Sequence, residues 1–449
     1  MLTLTGTAKS ATEVGIKSYS NAKVIAITFA LGVLVFFARF PQPVITPTIY
    51  AEDGVWIGRA LSNGWLDTFI HARPDYFVFF NIFLLWCASS LSHIFSGSPL
   101  LLLPLFISFL SYSFYSLSSV IIFLTVKRYA GTMLAFLAYS MSILIPLGVS
   151  QAESIGTLVQ VGFYMPVLSI CAHLYRDDDG SAKRKIACDI LIFLMAATNP
   201  VNFAVTGIYF VISFLSTEHK KRLIISFLPL LIALLVLFLM IVPRMNGSGG
   251  IIGAYNSSHL MEMVTARSLL YSFTFPFYNK LSNVTSIILT LVYAAFVVVA
   301  FTKAEKRSRI AILMFAAMLV IYDSATAAGR SGITGLLTGY GATYPDRYFM
   351  GINIISSALM AICAGQFKNS IVGYVWVLVM AIVYVSGIHM MFENSQDKRR
   401  VALDYIYTNA LCSAKDEGNG FSRIQILPSP DWYIRVPSDH VKNIGCVRN

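Results

Sequence analysis

The sequence predicts an all-α polytopic membrane protein with about 11 transmembrane helices, given that each crossing needs about 20 apolar residues. Composition gives the first reason: of the 449 residues, 56% are hydrophobic and only 12% are charged. The mean hydropathy, +0.69, gives the second reason. A soluble chain of this length carries about 25% charged residues. The third reason is that the apolar residues occur in long blocks separated by short basic or polar segments.

The net charge of +11 comes from 33 Lys and Arg against 22 Asp and Glu. In a membrane protein this excess is typical of cytoplasmic loops and of contact with anionic lipids. Basic runs with interleaved aromatic residues do not occur, so we expect no nucleic-acid partner. The six cysteines have no metal-binding spacing. If the C-terminal tail is extracytoplasmic, Cys412 and Cys446 are a candidate disulfide.

Lys9, Lys17 and Lys23 precede the first predicted span, 21–40, which favours a cytoplasmic N-terminus and a retained first helix rather than a cleaved signal. The first outer loop is predicted over 41–98. Its segment 76–96 is apolar enough to span but carries Asn81 and several serines. We prefer an interfacial helix on the outer surface, because Lys127–Arg128 then becomes cytoplasmic. If 76–96 spans instead, Lys127–Arg128 is outside.

The remaining spans follow by alternation, with a hairpin that turns at Asn199-Pro200. A late outer loop is predicted over 323–346. The membrane domain is predicted over 1–392, and the polar tail, 393–449, is predicted to be a small cap on the outer side. Lys398, Arg399 and Arg400 lie just after the last span and favour the cytoplasmic side for the tail instead. The predicted spans are 99–126, 131–149, 159–175, 186–198, 203–216, 223–242, 283–301, 310–322, 347–364 and 371–391.

The cytoplasmic side lacks a Walker A motif, a GxGxxG after a strand and an HExxH. The outer loops instead combine carboxylates with arginines and could converge over one membrane-facing cleft. An Arg guanidinium binds phosphate oxygens in pairs, and a carboxylate can take a proton from an attacking hydroxyl. Outside the tail these charges are Glu52, Asp53, Asp67, Asp75, Glu153, Glu262, Asp323 and Asp346, with Arg59, Arg73, Arg244, Arg267, Lys280, Arg330 and Arg347.

Two motifs stand out among these charges. Tyr50-Ala51-Glu52-Asp53-Gly54 places two acids at the start of a short helix, where they are either catalytic or complement the helix dipole. Tyr344-Pro345-Asp346-Arg347-Tyr348-Phe349 enters a span from outside. It either holds a lipid phosphate through Arg347 or anchors the helix at the headgroups.

Smaller features carry further expectations. The Gly-rich segment 324–343 contains Arg330 and is a candidate lid. Glu153, alone in a tight outer loop, either binds substrate or is a solvated or capping residue. Asp189 is expected near a cytoplasmic helix end, close to the basic 183–185 cluster. The few outer histidines make a histidine metal site unexpected, while a carboxylate-bound divalent ion is left open. No cofactor is predicted.

In their order along the chain, the "AEDG" pair after the first span, the aromatic apolar segment, Glu153 and the late "DRYF" resemble bacterial multispan GT-C glycosyltransferases. Within that family, the serotype-converting O-antigen glucosyltransferases and their relatives are the most similar. The resemblance implies a GT-C-like fold and a polyprenyl-phosphate sugar donor, such as undecaprenyl-phosphate glucose. It places the reaction on the periplasmic face of the bacterial inner membrane, with O-antigen or another surface glycan as acceptor.

The resemblance also implies roles for individual residues. Asp53, with Glu52 beside it, would deprotonate the acceptor, and Arg347 with Arg330 would bind the phosphate in an inverting displacement. Glu153, Asp346 and Tyr348 would contact substrate. Relatives often show "GY" followed by Pro-Arg where this chain has Arg73-Pro74-Asp75-Tyr76, which leaves the role of Arg73 open. Membrane lipids, a donor-synthesising enzyme and a small flippase are the other expected partners.

Three alternatives remain at this stage. An O-antigen polymerase or ligase also uses outer arginines, but typically has a large late outer loop. A flippase or transporter needs charged groups in mid-span, and apart from Asp189 the spans have almost none; no internal repeat supports one either. A eukaryotic dolichol-linked mannosyltransferase would make Asn246, Asn256 and Asn283 glycosylation sequons.

Overall fold

A computed structural model of the chain describes residues 8–176, 181–245, 255–341, 346–367, 371–393, 407–428, 431–442 and 444. These residues are mainly helical. In chain order the helices are α1 (Ala8–Arg39), α2 (Gln42–Ile45), α3 (Glu52–Asn63), α4 (Trp65–His71), α5 (Phe79–Ser96), α6 (Leu103–Ala130), α7 (Thr132–Ile143), α8 (Gln151–Ser154), α9 (Met165–Arg176), α10 (Ala182–Ala196), α11 (Val201–Ser216), α12 (Lys220–Met245), α13 (Tyr271–Thr274), α14 (Asn283–Lys303), α15 (Lys306–Gly329), α16 (Met350–Gly365), α17 (Ile371–Glu393), α18 (Tyr407–Cys412) and α19 (Asp439–Lys442).

The predicted class, a helical multi-pass membrane protein, is confirmed. In the part of the chain that the structure describes, eight helical segments are long and apolar enough to cross a membrane. They lie in α1, α5, α6, α12, α14, α15, α16 with the turn before it, and α17. Helices α7 and α11 are apolar but shorter, with 12 and 16 residues. The predicted span 159–175 begins as a 3-10 helix, Val159–Tyr164, before α9. The figure of about 11 spans therefore stays a prediction.

The segment predicted as the late outer loop is partly helical. Helix α15 continues to Gly329, beyond the predicted start of the loop at Asp323. Asp323 lies buried inside helix α15, where its carboxylate accepts a hydrogen bond from the Ser268 hydroxyl at 2.6 Å. The presence of an acidic residue at this position therefore does not mark the end of the helix. The candidate lid is correspondingly divided. Its first part is the end of α15, and Ser331–Leu336 forms a 3-10 helix.

Helix α16 is the centre of the helical bundle. All 16 of its residues are buried. Small residues allow this packing: a Cβ at Gly365 would lie 2.5 Å from the Ala130 Cβ, and one at Gly351 would lie 2.3 Å from the Phe163 carbonyl oxygen. Helix α16 contains no charged side chain, so its burial leaves no ion to desolvate. The turn that precedes the helix, Asp346–Phe349, is itself a 3-10 helix with Asp346, Tyr348 and Phe349 buried.

The tail folds into a small domain, here called the cap, that consists of α18, three antiparallel strands and α19. The strands are β1 (Lys415–Gly418), β2 (Phe421–Gln425) and β3 (Tyr433–Pro437), in the order β1-β2-β3. They are a departure from the all-α expectation. Exposed and buried residues alternate along β2 and β3, which is the period of a half-buried strand. A helical stripe cannot form from that pattern.

The cap packs on the first outer loop. Fully buried Ile424, Ile434 and Val436 form one cluster with Ile57 of α3. Gly58 lets the two backbones approach, because a Cβ there would lie 2.8 Å from the Arg435 carbonyl oxygen. The Ala51 N–H donates to the Leu427 carbonyl at 2.6 Å. The cap and the first loop therefore lie on the same side of the membrane.

This contact constrains the topology between the first loop and the cap. The chain must cross the membrane an even number of times between them. The ten predicted spans after the first loop satisfy this condition only if α5 does not cross as an eleventh. Because α5 is long and apolar enough to span, its interfacial position stays a prediction.

Cys412 of the cap is disulfide-bonded. Its predicted partner, Cys446, lies outside the described residues, as do Lys398, Arg399 and Arg400. Cys87, Cys171 and Cys363 are free thiols.

Candidate active site

One cavity of about 290 Å³ collects residues from the first loop, the 151–164 segment, the late loop and the cap. Six of the eight predicted site residues line it, and Asp53 and Asp346 do not. The lining residues are Tyr50, Ala51, Glu52, Trp56, Arg73, Tyr76, Val78, Asn81, Glu153, Val159, Gln160, Gly162, Phe163, Thr198, Asn199, Arg330, Arg347, Tyr348, Pro428 and Trp432. We call it the central cavity.

The two acids of the AEDG motif point in different directions. Asp53 is fully buried, and its Oδ2 accepts the Leu158 N–H at 2.9 Å. Asn81 ties down the same segment by donating to the carbonyls of Leu158 at 2.6 Å and Val159 at 2.8 Å. Asp53 therefore joins α3 to the cavity wall and is not among the residues that line the cavity, and its contact with the acceptor stays a prediction.

Glu52 is the acid of the pair that lines the central cavity. It is half-buried, and within the described residues it accepts no hydrogen bond and forms no ion pair. The residue before it, Ala51, has φ +48°, a conformation that costs a non-glycine residue about 1–3 kcal/mol. The bond between Ala51 and Leu427 holds this turn. The cap thus helps to set the direction in which Glu52 points.

Glu153 and Arg347 form an ion pair across the cavity wall. Both side chains are largely buried, with 9% and 17% of their surface exposed. The Tyr50 hydroxyl lies 3.4 Å from Glu153 Oε1. Glu153 therefore has a specific partner, and neither of the simpler explanations, solvation or helix capping, describes it.

Two guanidinium groups surround the ring of Tyr348. The Arg347 Cζ lies 4.9 Å from the ring centroid, and Arg347 Nη2 donates to the Tyr348 hydroxyl at 3.0 Å. The Arg330 Cζ lies 5.1 Å from the same centroid. Within the described residues the guanidinium of Arg330 forms no hydrogen bond or ion pair. Its charge is therefore the one most available to an anion in the cavity.

Arg73, by contrast, is committed to a neighbour. Its Nε and Nη2 donate to the two carboxylate oxygens of Asp75 at 2.9 and 2.8 Å, and its Cζ lies 4.9 Å from the Tyr76 ring centroid. Burial disfavours the charge, but the hydrogen bonds to Asp75 and the charge interactions with Tyr76, Asp75 and Glu52 together outweigh burial and raise the pKa of Arg73. Arg73 remains a cation at the cavity wall, fixed by Asp75.

Asp346 is buried and is not among the residues that line the cavity, and its contact with substrate stays a prediction. It accepts hydrogen bonds from Arg267 Nη1 at 2.5 Å and from the Tyr271 hydroxyl at 3.0 Å. Arg267 is fully buried, and its Nη2 lies 3.8 Å from Glu262. This network holds the turn that carries Arg347. The sequence predicted Glu262 and Arg267 to be charges of the outer loops, but no pattern in it indicated that they would be buried together.

The remaining polar lining residues were not predicted as site residues. Asn81 and Asn199 contribute amides, and Tyr50 and Tyr76 contribute hydroxyls. The polarity of 76–96 was a signal for Asn81, although it was interpreted as interfacial. The described residues contain no cluster of three or more His, Cys, Asp or Glu that could hold a metal ion. Glu52 and Glu153 are the carboxylates that line the central cavity.

The central cavity opens into an apolar groove between α11, α12 and α15. The lining residues that the cavity and the groove share at their junction are Arg73, Tyr76, Phe163, Asn199, Arg330 and Tyr348. The groove has a volume of about 960 Å³ and continues past Phe203, Phe238 and Ile241. Farther along α11 and α15, a second apolar depression shares Ala204 with it and reaches Leu313. A charged junction therefore leads into a long hydrocarbon-like surface.

The Glu153–Arg347 pair predicts a stability effect. Replacing Arg347 with Met is expected to lower the free energy of unfolding by about 3 kcal/mol, because Glu153 is left as a buried carboxylate without its cation. The double variant Glu153→Gln/Arg347→Met should recover most of that loss. Thermal unfolding of the purified protein in detergent tests this, with exposed Lys280→Met as the control. Equal losses in the single and double variants would contradict the pairing.

No protein-family model matches this chain, and no curated protein matches it. Among solved structures it is similar to ArnT from Cupriavidus metallidurans bound to undecaprenyl phosphate, with 13% identity and a TM-score of 0.47 over 82% of this chain and 64% of ArnT. The Archaeoglobus fulgidus oligosaccharyltransferase in complex with Zn and sulfate has 13% identity and a TM-score of 0.46, over 86% of this chain and 54% of that protein. The chain thus spans less than two thirds of either. Similarity at this level does not by itself establish a shared function.

Proposed function

We propose that the protein is a GT-C-type glycosyltransferase that moves a sugar from a polyprenyl-phosphate donor to a glycan acceptor. One observation carries this proposal. The central cavity combines the carboxylate of Glu52, the guanidinium of Arg330 and an opening into a long apolar groove. A lipid-phosphate sugar needs these three environments together: a base for the acceptor, a cation for the phosphate and a surface for the hydrocarbon chain.

The donor phosphate lies at the junction of cavity and groove. Arg330, whose guanidinium has no hydrogen-bond or ion-pair partner among the described residues, binds it most directly, and Arg347 adds a second positive charge from beside Tyr348. Arg73 contributes a third charge at the junction while it stays paired with Asp75. The polyprenyl chain follows the apolar groove along α11 and α15, where burial of each CH₂ contributes about 0.8 kcal/mol.

The reaction is a single displacement. The acceptor hydroxyl oxygen forms a bond to the anomeric carbon, and its proton passes to the Glu52 carboxylate. The bond between that carbon and the phosphate oxygen breaks, and the electron pair leaves on the phosphate, stabilised by Arg330 and Arg347. The products are the inverted glycoside and polyprenyl phosphate, and Glu52 returns its proton to water. Asp53 takes a positioning role in place of the base predicted from sequence, because its carboxylate is buried.

The finer version of the proposal follows the resemblance in the sequence. The transferred sugar is glucose and the acceptor is O-antigen or a related surface glycan. The reaction takes place on the periplasmic face of the bacterial inner membrane. A donor-synthesising enzyme and a small flippase supply the lipid-linked sugar. The positive-inside distribution of Lys and Arg supports the assignment of the reaction to the periplasmic side.

Mass spectrometry of the O-polysaccharide from a bacterial host tests the proposal. The host carries the genes for undecaprenyl-phosphate glucose and is compared with and without this gene. We expect a gain of one hexose per repeat, together with the release of polyprenyl phosphate from the donor by the purified protein. The Glu218→Gln variant, which alters an exposed carboxylate far from the cavity, is the control and should match the wild type.

Other results would redirect the assignment. An unchanged repeat mass with altered chain length would contradict single-sugar transfer and point to a polymerase or ligase. No change in repeat mass or chain length, together with no release of polyprenyl phosphate from the donor, would exclude the proposed reaction.

A further inference from the structure

A second groove lies on the outer face between α3 and the cap. It has a volume of about 660 Å³. Helix α3 contributes Val55, Arg59 and Asn63 to one wall, and the cap contributes Asp431, Trp432 and Tyr433 to the other. We call it the cap groove. None of these residues was among the predicted site residues.

The cap groove is continuous with the central cavity. Trp432 lines both. Glu52, Val55, Arg59 and Asn63 are spaced by three or four residues, so they follow one face of α3. The path from Glu52 to Asn63 is about 16 Å long at the rise of an α-helix. This length suits a chain of sugar units better than a single one.

The two grooves open from different walls of the cavity. The apolar groove shares six residues with the cavity, Arg330 and Tyr348 among them, whereas the cap groove shares Trp432, and no residue lines both grooves. In a displacement the acceptor and the leaving group stand on opposite sides of the reacting carbon. Glu52 lines the cavity one helical turn before Val55 of the cap groove, and Arg330 lines both the cavity and the apolar groove.

The chemistry of the cap groove fits carbohydrate. Trp432 and Tyr433 provide aromatic surface for the C–H face of a sugar ring. The side chains of Asn63 and Asp431 are exposed and make no hydrogen bond or ion pair within the described residues. Both side chains can therefore bind sugar hydroxyls. The backbone under Trp432 is fixed, since its carbonyl accepts from the Ile426 N–H at 3.1 Å and from Gln425 Nε2 at 2.7 Å.

We propose that the cap groove binds the acceptor glycan, with the reacting hydroxyl at Glu52 and the further sugar units on Trp432 and along α3. The inference rests on the proposed function, because it assigns the second substrate of that reaction. It makes the acceptor an oligosaccharide or polysaccharide. The cap then belongs to the substrate site as well as holding the turn at Ala51.

Glycan binding without any donor tests this proposal. Full-length protein in nanodiscs is screened against monosaccharides and short oligosaccharides from bacterial surface polysaccharides, and Kd is measured for the tightest binder. We expect the oligosaccharide to bind at least about tenfold more tightly than its monosaccharide. Trp432→Ala should weaken it about tenfold, and Trp432→Phe should retain most of the affinity, because an aromatic face remains.

Two further variants separate binding from folding. Val55 is 47% exposed, so Val55→Arg fills the groove without disturbing the core and should also weaken oligosaccharide binding. Tyr374→Ala removes an aromatic side chain that is 65% exposed on α17 and should have no effect. If no oligosaccharide binds the wild type, or if Trp432→Ala and Val55→Arg bind as the wild type does, the inference is wrong.

The binding experiment also distinguishes this inference from the proposed function. Oligosaccharide binding that depends on Trp432, without sugar transfer, would uphold the glycan site and reject the reaction. Sugar transfer to a monosaccharide as efficient as transfer to the oligosaccharide would uphold the reaction and reject the cap groove as its acceptor site.

Discussion

Replacement of Glu52 with Gln is expected to lower kcat for sugar transfer about 10²–10⁴-fold, the usual effect of losing a general base. Glutamine keeps the size of the side chain and removes its ability to accept the acceptor proton. Glu52 makes no hydrogen bond or ion pair within the described residues, so the fold should be unchanged. Transfer from polyprenyl-phosphate glucose to acceptor glycan, measured at saturating concentrations of both, gives kcat directly.

The neighbouring Asp53 supplies the matched comparison. Asp53→Asn retains an oxygen that can accept the Leu158 N–H, so we expect it to keep most of the activity. Asp53→Ala removes the acceptor from a buried N–H and should cost about 1–3 kcal/mol of stability. Activity that survives in folded Glu52→Gln but is abolished in folded Asp53→Asn would return the role of base to Asp53.

Replacement of Arg330 with Gln is expected to lower kcat about 10²–10³-fold, comparable with the loss of one donor to a developing anion. Arg330 has no carboxylate partner among the described residues, so its full charge acts on the donor phosphate. Arg330→Lys should recover only part of the rate, because an ammonium group restores the charge but not the paired hydrogen bonds. Release of polyprenyl phosphate from the donor is the measurement.

A matched control and a comparison with Arg347 sharpen this result. Lys280→Gln removes an exposed cation outside the cavity and should leave kcat unchanged. Arg347→Gln should affect stability as well as rate, because Arg347 also neutralises Glu153. If Arg330→Gln transfers sugar at the wild-type rate, the phosphate does not lie at the junction of cavity and groove.

Adjacent side chains on a helix illustrate the limit of sequence reasoning at this site. The AEDG motif correctly indicated a short helix with two acids in its first turn. Successive residues on a helix differ in direction by about 100°, so only one acid of the pair could line the cavity. Asp346 and Arg347 differ in the same way: Asp346 is buried against Arg267, whereas Arg347 lines the cavity. Which member of each pair faces inward depends on what packs against the helix.

By itself the sequence determined the class of the protein, because the length and composition of apolar blocks govern whether a segment can enter a membrane. It also indicated the outer loops that meet at the central cavity. Only the tertiary structure decided that Asp53 is buried, that Glu153 pairs with Arg347 and that the cap lies on α3. Each of these depends on contacts between segments far apart in the chain, such as that of Ala51 with Leu427. Local patterns carry no information about which distant segment will supply the partner.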